Sequence, residues 1–524
     1  ILNKNATQKK AHYGRVQLDW NERIKDKHTV SGLLGMEWRT DRGDFQDYGN
    51  LYGYKEDLES YSPVNIFSYY KLYHSRRNSL ISQGGLRGRN VDNNRSVYGL
   101  ISYSYDDNLT LNASVRKDES NVFGVQANLK GVPLWSVGAS YSFEKLVNWK
   151  SLNLLKLRTT YGYNGNIDKS TTAYLTSKLF RQMNIWGYPM DEIVNPPNST
   201  LRWEKVQNIN IGLDFSLWES RLSGSIDYFQ KNGQDLMGNS PLAPQVGIVN
   251  FYGNAANTST KGVDFQLKSI WMDSPDFKFQ TDFIFNMVRD KVTKYFIEPG
   301  INTDIVSSFG ITPLVGHPIN SLVVYRSNGL DGSGNPLGIL QGNPSTDYGE
   351  IMNGTDRNSI NILGSKVPTR FGSIRNSFSY KGIDLSFQVL YKWGNYVMIG
   401  NSFNSNGLID GVYRFSDYHQ RWKSPGDEKT TTVPAFTYPK DYNRMAFYQA
   451  SEVLSIPGGM ARLQDVKLSY SLQPLKRQQS NLQMYLYASN LGLLWKQNKK
   501  GLNPDLISGY KVPVEWSLGF KLNF

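Results

Sequence analysis

The chain has 524 residues and no cysteine, which excludes disulfide staples, thiolate nucleophiles and cysteine-ligated zinc together. Long apolar runs are missing too: nothing approaches the roughly 18 consecutive apolar residues of a membrane-crossing helix. The five histidines, His12, His28, His74, His317 and His419, fall at no metal-ligand spacing. No Gly-x-Ser-x-Gly elbow, phosphate-binding loop or carboxylate pair stands in a supporting context, so neither an enzyme nor a resident cofactor is expected. Asp331-Gly-Ser-Gly-Asn335 spaces oxygen ligands as a calcium loop does, but Pro336 occupies the position of the required glycine and no glutamate closes the loop. A Gly-rich turn is the expected structure there and no metal ligand is assigned, although the many loop aspartates leave calcium in an extracellular loop open. Charged residues make up only 20% of the chain, and the net charge of +13 is scattered rather than gathered into a stripe, which excludes a nucleic-acid footprint.

Tyrosine (33) and glycine (47) are abundant, and mean hydropathy is −0.48. The informative signal is alternation. In Val514–Phe524, Trp516, Leu518, Phe520, Leu522 and Phe524 take one face while Glu515, Ser517, Gly519, Lys521 and Asn523 take the other. An aromatic ending a strict period-2 run is the pattern of the closing strand, and of the insertion signal, of a membrane β-barrel. Phe277–Met287 alternates as sharply, with Phe277, Phe279, Phe283, Phe285 and Met287 on one side.

About fifteen segments read this way, each long enough for a tilted barrel strand. They lie near Tyr13–Asn21, His28–Arg39, Arg95–Tyr105, Asn108–Asp118, Trp135–Phe143, Leu154–Tyr163, Lys205–Phe215, Arg221–Lys231, Lys261–Trp271 and Phe277–Arg289. The rest lie near Arg370–Lys381, Ile383–Trp393, Ala461–Leu472, Asn481–Asn490 and Val514–Phe524. Short turns, as at Asp106-Asp107, Trp218-Glu219, Met272–Pro275 and Lys381-Gly382, alternate with long loops near Thr40–Asn94, Gly165–Glu204, Asn232–Thr260, Asp290–Thr369, Gly394–Met460 and Leu491–Pro513. Short on one side and long on the other is the arrangement of periplasmic turns and extracellular loops. An odd strand count places residue 1 and Phe524 on opposite sides of the membrane, so the expectation is the C-terminal portion of a larger barrel.

A series of segments carries a family resemblance. SVRKDESNVFG (Ser114 to Gly124) is followed by PLWSVGASYSFEKL (Pro133 to Leu146), LKLRTTYGYNGN (Leu155 to Asn166) and LRWEKVQNINIGLDFSLWESRLSGSIDYFQKNGQDLM (Leu201 to Met237). KGVDFQL (Lys261 to Leu267), YKGIDLSF (Tyr380 to Phe387) and ARLQDVKLSYSL (Ala461 to Leu472) complete it. In this order they resemble the SusC/RagA-like TonB-dependent transporters, over nearly the whole chain. One departure is the hairpin tip Asp118-Glu119-Ser120-Asn121, where the family carries Asp-Gly-Ser-Ser. The resemblance implies an all-β fold: a transmembrane antiparallel β-barrel of the Gram-negative outer membrane, residues 1–524 supplying the C-terminal fifteen or so of about 22 strands, with long extracellular loops and the plug outside these residues. It also implies import of a bulky nutrient, glycan or oligopeptide. The implied partners are a SusD-like surface lipoprotein, the TonB complex acting through the plug, the N-terminal remainder of the barrel, and lipid with lipopolysaccharide around it. A passive porin and a soluble all-β glycan-binding protein are the alternatives.

Positions opposite the apolar face are expected to line the lumen: Arg116, Asp118, Lys156, Arg158, Asp214, Asp264, Lys268 and Asp384, with Asn208 and Asn210 among them. Loop aromatics suited to stacking on sugar or peptide groups are Trp186, Tyr188, Tyr252, Tyr413 and Tyr418.

Overall fold

The computed structural model describes the chain apart from residues 66–67, 73–77, 82–85, 122–132, 148, 167, 170, 181–187, 189, 200, 242–249, 307–312, 413–414, 473–480, 507–511 and 524. Among the described residues a 15-stranded sheet is ordered in space as in sequence. Its strands are β1 (Leu2–Ile24), β2 (His28–Leu51), β3 (Leu86–Tyr105), β4 (Leu109–Ser120), β5 (Pro133–Ser142), β6 (Leu152–Asn166), β7 (Glu204–Leu217), β8 (Leu222–Pro241), β9 (Asn250–Asp273), β10 (Phe277–Tyr295), β11 (Arg370–Tyr380), β12 (Ile383–Trp393), β13 (Met460–Leu472), β14 (Asn481–Lys496) and β15 (Glu515–Asn523). Each of the fifteen segments read from alternation coincides with one of these.

Two compact units make up the chain. The first comprises Ile1–Asp106, Leu111–Val137 and Gly165–Trp203. There, β1 and β2 pair antiparallel from Leu2↔Leu51 to Ile24↔His28. The second comprises Asp107–Thr110, Gly138–Asn164 and Glu204–Phe524. Within it, Leu518, Leu486, Leu468, Leu385, Phe378 and Phe279 stand opposite one another in an unbroken row from β15 to β10. Leu518 is 71% exposed and Leu468 44%. An uncovered apolar band of this width is a lipid-facing surface, because water penalises about 25 cal/mol per Å² of it. Phe279 and Phe378 stack at 4.5 Å between ring centroids, adding an aromatic pair to the band. Trp516, Leu518, Phe520 and Leu522 all lie exposed on the apolar face, whereas Phe524 lies outside the described residues.

The tight turns follow from backbone chemistry. Lys25 and Asp26, Asp106 and Asp107, and Lys381 and Gly382 all have positive φ. Two successive left-handed residues match the twist of paired strands, and aspartate and glycine tolerate that conformation best.

The long connections differ from the sequence expectation in two ways. First, much of Asn232–Thr260 is strand rather than loop: Asn232 faces Ser259, and pairing reaches Pro241↔Asn250. Here neighbours such as Leu236 and Met237 put apolar side chains on both faces among polar ones, so strict alternation disappears while the hydrogen-bond ladder continues. Alternation is likewise absent from the early part of β1, Lys4 to Lys10. Second, the two longest connections fold together into a cap. Residues 296–369 and 394–459 contribute the ribbon Ser321–Tyr325 with Ile360–Ser365 and the helices Tyr348–Asn353 and Tyr442–Gln449. Asp347 and Asp441 cap these helices, accepting from the backbone N–H of Glu350 and Arg444. Ile305, Val323, Tyr325, Tyr348, Ile351, Met352, Ile360 and Phe447 form a buried core. The Phe447 ring lies 5.4 Å from that of Tyr325 and 5.3 Å from that of Tyr348.

Candidate functional site

Strand alternation that turns Leu518 and its row outward turns charged residues to the opposite face, where they pair across strands. In the first unit, Arg116 Nε donates to Asp118 Oδ1 at 2.7 Å, and Nη2 donates to Ser96 Oγ at 2.9 Å and to Glu37. The Arg116 and Arg15 guanidinium groups lie 5.4 and 5.7 Å from the Tyr98 ring centroid. In the second unit, Arg158 grips Asp214 with two bonds of 2.7 and 2.8 Å and reaches Asp227 at 3.1 Å. The bidentate fork fixes orientation as well as charge. Gly212 makes room for it, since a Cβ there would stand 2.3 Å from Asp227 Oδ1 and 2.8 Å from Arg158 Nη2. Asp264 is the register partner of Asp227, and Lys268 lies opposite Ser223 and Asp282. Lys156 shares the face of Arg158 and is half-buried. Asp384 accepts from Ser379 Oγ at 2.6 Å and Ser469 Oγ at 3.5 Å. Asn208 bonds the Val206 carbonyl of its own strand, and Asn210 Oδ1 is buried without a partner among the described residues. Further along, Arg375 bonds Gln388 at 2.5 Å and Asp465 at 3.2 Å.

These pairs join residues far apart in sequence, so Glu37, Asp227, Arg375 and Asp465 were absent from the sequence-derived set. Each lies in a segment whose strand character was legible, and the polar side of the alternation was the available signal.

The cap has its own polar centre. Arg444 is 2% exposed; its Nη2 donates to the carbonyls of Gly334 and Ala435, both at 3.0 Å, and its Nε to Asn335 Oδ1 at 3.1 Å. Burial draws the guanidinium pKa below its usual value, against the raising influence of Tyr348, Asp441 and Asp331. Asp331 Oδ1 accepts from the backbone N–H of Ser333 and Asn335, both at 2.8 Å. Burial would raise its pKa, but these bonds leave it lowered. Asp331-Gly-Ser-Gly-Asn335 folds as a turn that uses its carboxylate on its own backbone, and Arg444 ties the turn to the helix Tyr442–Gln449.

Beside this centre a cavity of about 970 Å³ opens, walled by Ile305, Leu322, Val323, Met398, Ile399 and Ala446, with Lys366 and Asp505 also at its surface. The Asp505 carboxylate bonds Lys392 Nζ at 2.5 Å and Arg462 Nη2 at 3.2 Å. Nothing in the sequence pointed to this cavity, because its walls come from separate connections.

Trp186 and Tyr413 lie outside the described residues. Tyr188 belongs to the first unit and is exposed. Tyr252 lies on β9 rather than in a loop, facing Asn239. Tyr418 carries the Arg421 guanidinium 4.1 Å from its ring centroid and packs 5.8 Å from Phe403.

Comparison with known proteins places this geometry. Residues 3–491 match the family model described as TonB dependent receptor-like, beta-barrel. The TonB-dependent receptor P39 of Formosa agariphila is 24% identical across 93% of this chain and 49% of its own length. The TonB-dependent receptor SusC of Bacteroides thetaiotaomicron is 25% identical across 82% of this chain and 43% of its own. The chain thus spans about half the length of the curated relatives it matches. Among solved structures, the RagAB peptide transporter superposes with a TM-score of 0.77 at 21% identity, over 100% of this chain and 56% of that one.

Proposed function

The chain belongs to the TonB-dependent receptor-like β-barrel family of Gram-negative outer membranes, and from that premise we propose that it is the C-terminal barrel portion of an active importer of a bulky nutrient, glycan or oligopeptide. The carrying observation is that the strands of the second unit carry an uncovered apolar band on one face and interlocked ion pairs on the other, and that their longest connections have a core of their own. Interlocked guanidinium–carboxylate pairs hold the wall rigid, because each charge is already satisfied before anything passes. The polar face, with Arg116, Asp118, Lys156, Arg158, Asp214, Asp264, Lys268 and Asp384, lines the substrate path and meets the plug of the full-length protein. Tyr188, Tyr252 and Tyr418, with Trp186 and Tyr413, serve capture on the outer side.

A SusD-like lipoprotein seats on the cap, and the TonB complex supplies energy through the plug. Loss of the gene should abolish growth on one polymeric or peptide nutrient, and the full-length gene should restore it only in cells with a working TonB system. Restoration without TonB would make the protein a passive porin. Shortening the cap connection Gly394–Met460 should release the lipoprotein during detergent extraction while the barrel stays folded.

A further inference from the structure

Asp505 stands at the wall of the cavity, whereas Lys392 and Arg462, which hold its carboxylate, do not line it. The aspartate is thus interposed between the cavity and two cations. Its hold is incomplete: Arg462 donates Nη2 to Asp505, while its Nε is buried with no partner among the described residues. A guanidinium offers a fork of parallel donors, and a carboxylate placed squarely on it fills both prongs. Asp505 rides on a short self-bonded turn, its N–H donating to Asn503 Oδ1 at 3.1 Å and the Leu506 N–H to the Asn503 carbonyl at 3.0 Å. The Asp505 and Lys392 side chains are each about 30% exposed, and ion pairs in contact with water are weak enough to exchange.

We propose that Asp505 is an internal stand-in for a ligand carboxylate: the cavity takes the apolar part of an incoming molecule, whose carboxylate replaces Asp505 between Lys392 and Arg462. The ligand class is an apolar body ending in a carboxylate, the chemistry of a hydrophobic peptide C-terminus. A volume of about 970 Å³ accommodates several side chains. Ile305, Leu322, Val323 and Ile399 offer the apolar body its contacts, and Thr303, Ser402, Asn443 and Gln449 at the same wall can meet the peptide backbone. The physiological meaning rests on the importer reading, but the binding event does not.

The test uses the full-length transporter in detergent and the tripeptide acetyl-Leu-Leu-Phe, as the free acid and as the amide, with affinity measured by calorimetry. The free acid should bind at least tenfold more tightly than the amide. Asp505→Asn, which keeps the shape and removes the internal competitor, should tighten the free acid several-fold and leave the amide unchanged. Arg462→Gln should erase the preference for the acid. Ile399→Trp, which fills the cavity without touching a charge, should weaken acid and amide together. Equal binding of the two peptides to the wild-type protein would overturn the inference, as would an Asp505→Asn protein that binds the acid no better. Laurate displacing the free acid would assign the site to acyl carboxylates at large, and laurate failing to do so would assign it to peptides; both keep the exchange. TonB-dependent growth with no acid preference would sink this inference alone, whereas acid preference without TonB dependence would sink the importer reading alone.

Discussion

The sheet and the cap solve opposite solvation problems with the same chain. In the sheet, Leu518, Phe520 and Leu486 point outward uncovered, and charge is turned to the other face, where Arg158 meets Asp214 and Asp227. In the cap, Phe447 and Ile351 are fully buried and tyrosines such as Tyr438 and Tyr442 stand in the open. The first arrangement is stable only in lipid and the second only in water. Contrasting solvents select contrasting residue patterns, and each region should respond to mutation by its own rule.

The largest expected effect breaks the sheet by its outer face. Leu518→Arg places a charge in the apolar band, at a cost of about 2–4 kcal/mol near the bilayer midplane. Lys521→Gln on the other face costs little. The yield of heat-modifiable protein in the outer membrane should collapse for the first and persist for the second, and equal yields would break the contrast.

Much of the sheet was legible in the sequence because lipid and polar surroundings force a two-residue period on every strand, and all fifteen elements followed from it. The ends of the strands were not legible. Asn232 to Pro241 pairs with Asn250 to Ser259, but Leu236-Met237 and Phe251-Tyr252 put apolar side chains on both faces and no alternation marks the pairing. The cap core was hidden for another reason: Tyr325 and Phe447 come from different connections, and neither sits in a periodic run. The candidate site divides likewise. Arg116 and Asp118, or Arg158 and Asp214, were visible as polar positions, but their partners Glu37 and Asp227 required the register. Asp505, Lys392 and Arg462 lie on three separate segments, and only folding joins them.

A second break targets the cap. Arg444→Ala removes the side-chain donor from the Ala435 carbonyl and from Asn335 Oδ1, at about 1–3 kcal/mol for each stranded group, while the Gly334 carbonyl keeps the Ala435 N–H. The cap should become protease-sensitive while the barrel keeps its heat-modifiable band. Loss of both together would show that the two regions are one cooperative unit.

Smaller still is the change at Arg158. Arg158→Gln leaves Asp214 and Asp227 facing each other without their shared cation, and the half-exposed site limits the cost to about 1–2 kcal/mol. Chemical denaturation of the inserted protein should shift modestly, and Asp227→Asn in the same background should recover part of the loss.

The smallest effect is a pH dependence inside the cap. Burial raises the pKa of Asp417, outweighing its backbone hydrogen bonds and Lys500. A raised carboxylate contributes stability below its unfolded value of about 3.9 and loses it as pH climbs through the folded value. Asp417→Asn should therefore protect the cap slightly against protease at neutral pH and make no difference near pH 3. Asp331 has the reverse sign: its lowered pKa contributes above about 3.9 and is lost on acidification below that. Asp331→Asn should weaken the cap at neutral pH.

The absence of cysteine makes the central contrast directly measurable, because any introduced thiol is the only one among these residues. Single cysteines placed along Glu515–Asn523 and at Tyr438 and Tyr442 would carry a fluorophore, read for quenching by brominated lipid and by an aqueous quencher. The account predicts lipid quenching at Trp516, Leu518, Phe520 and Leu522, aqueous quenching at Ser517, Gly519 and Lys521, and aqueous quenching alone at Tyr438 and Tyr442. Aqueous quenching of both faces of that strand, or lipid quenching in the cap, would contradict it.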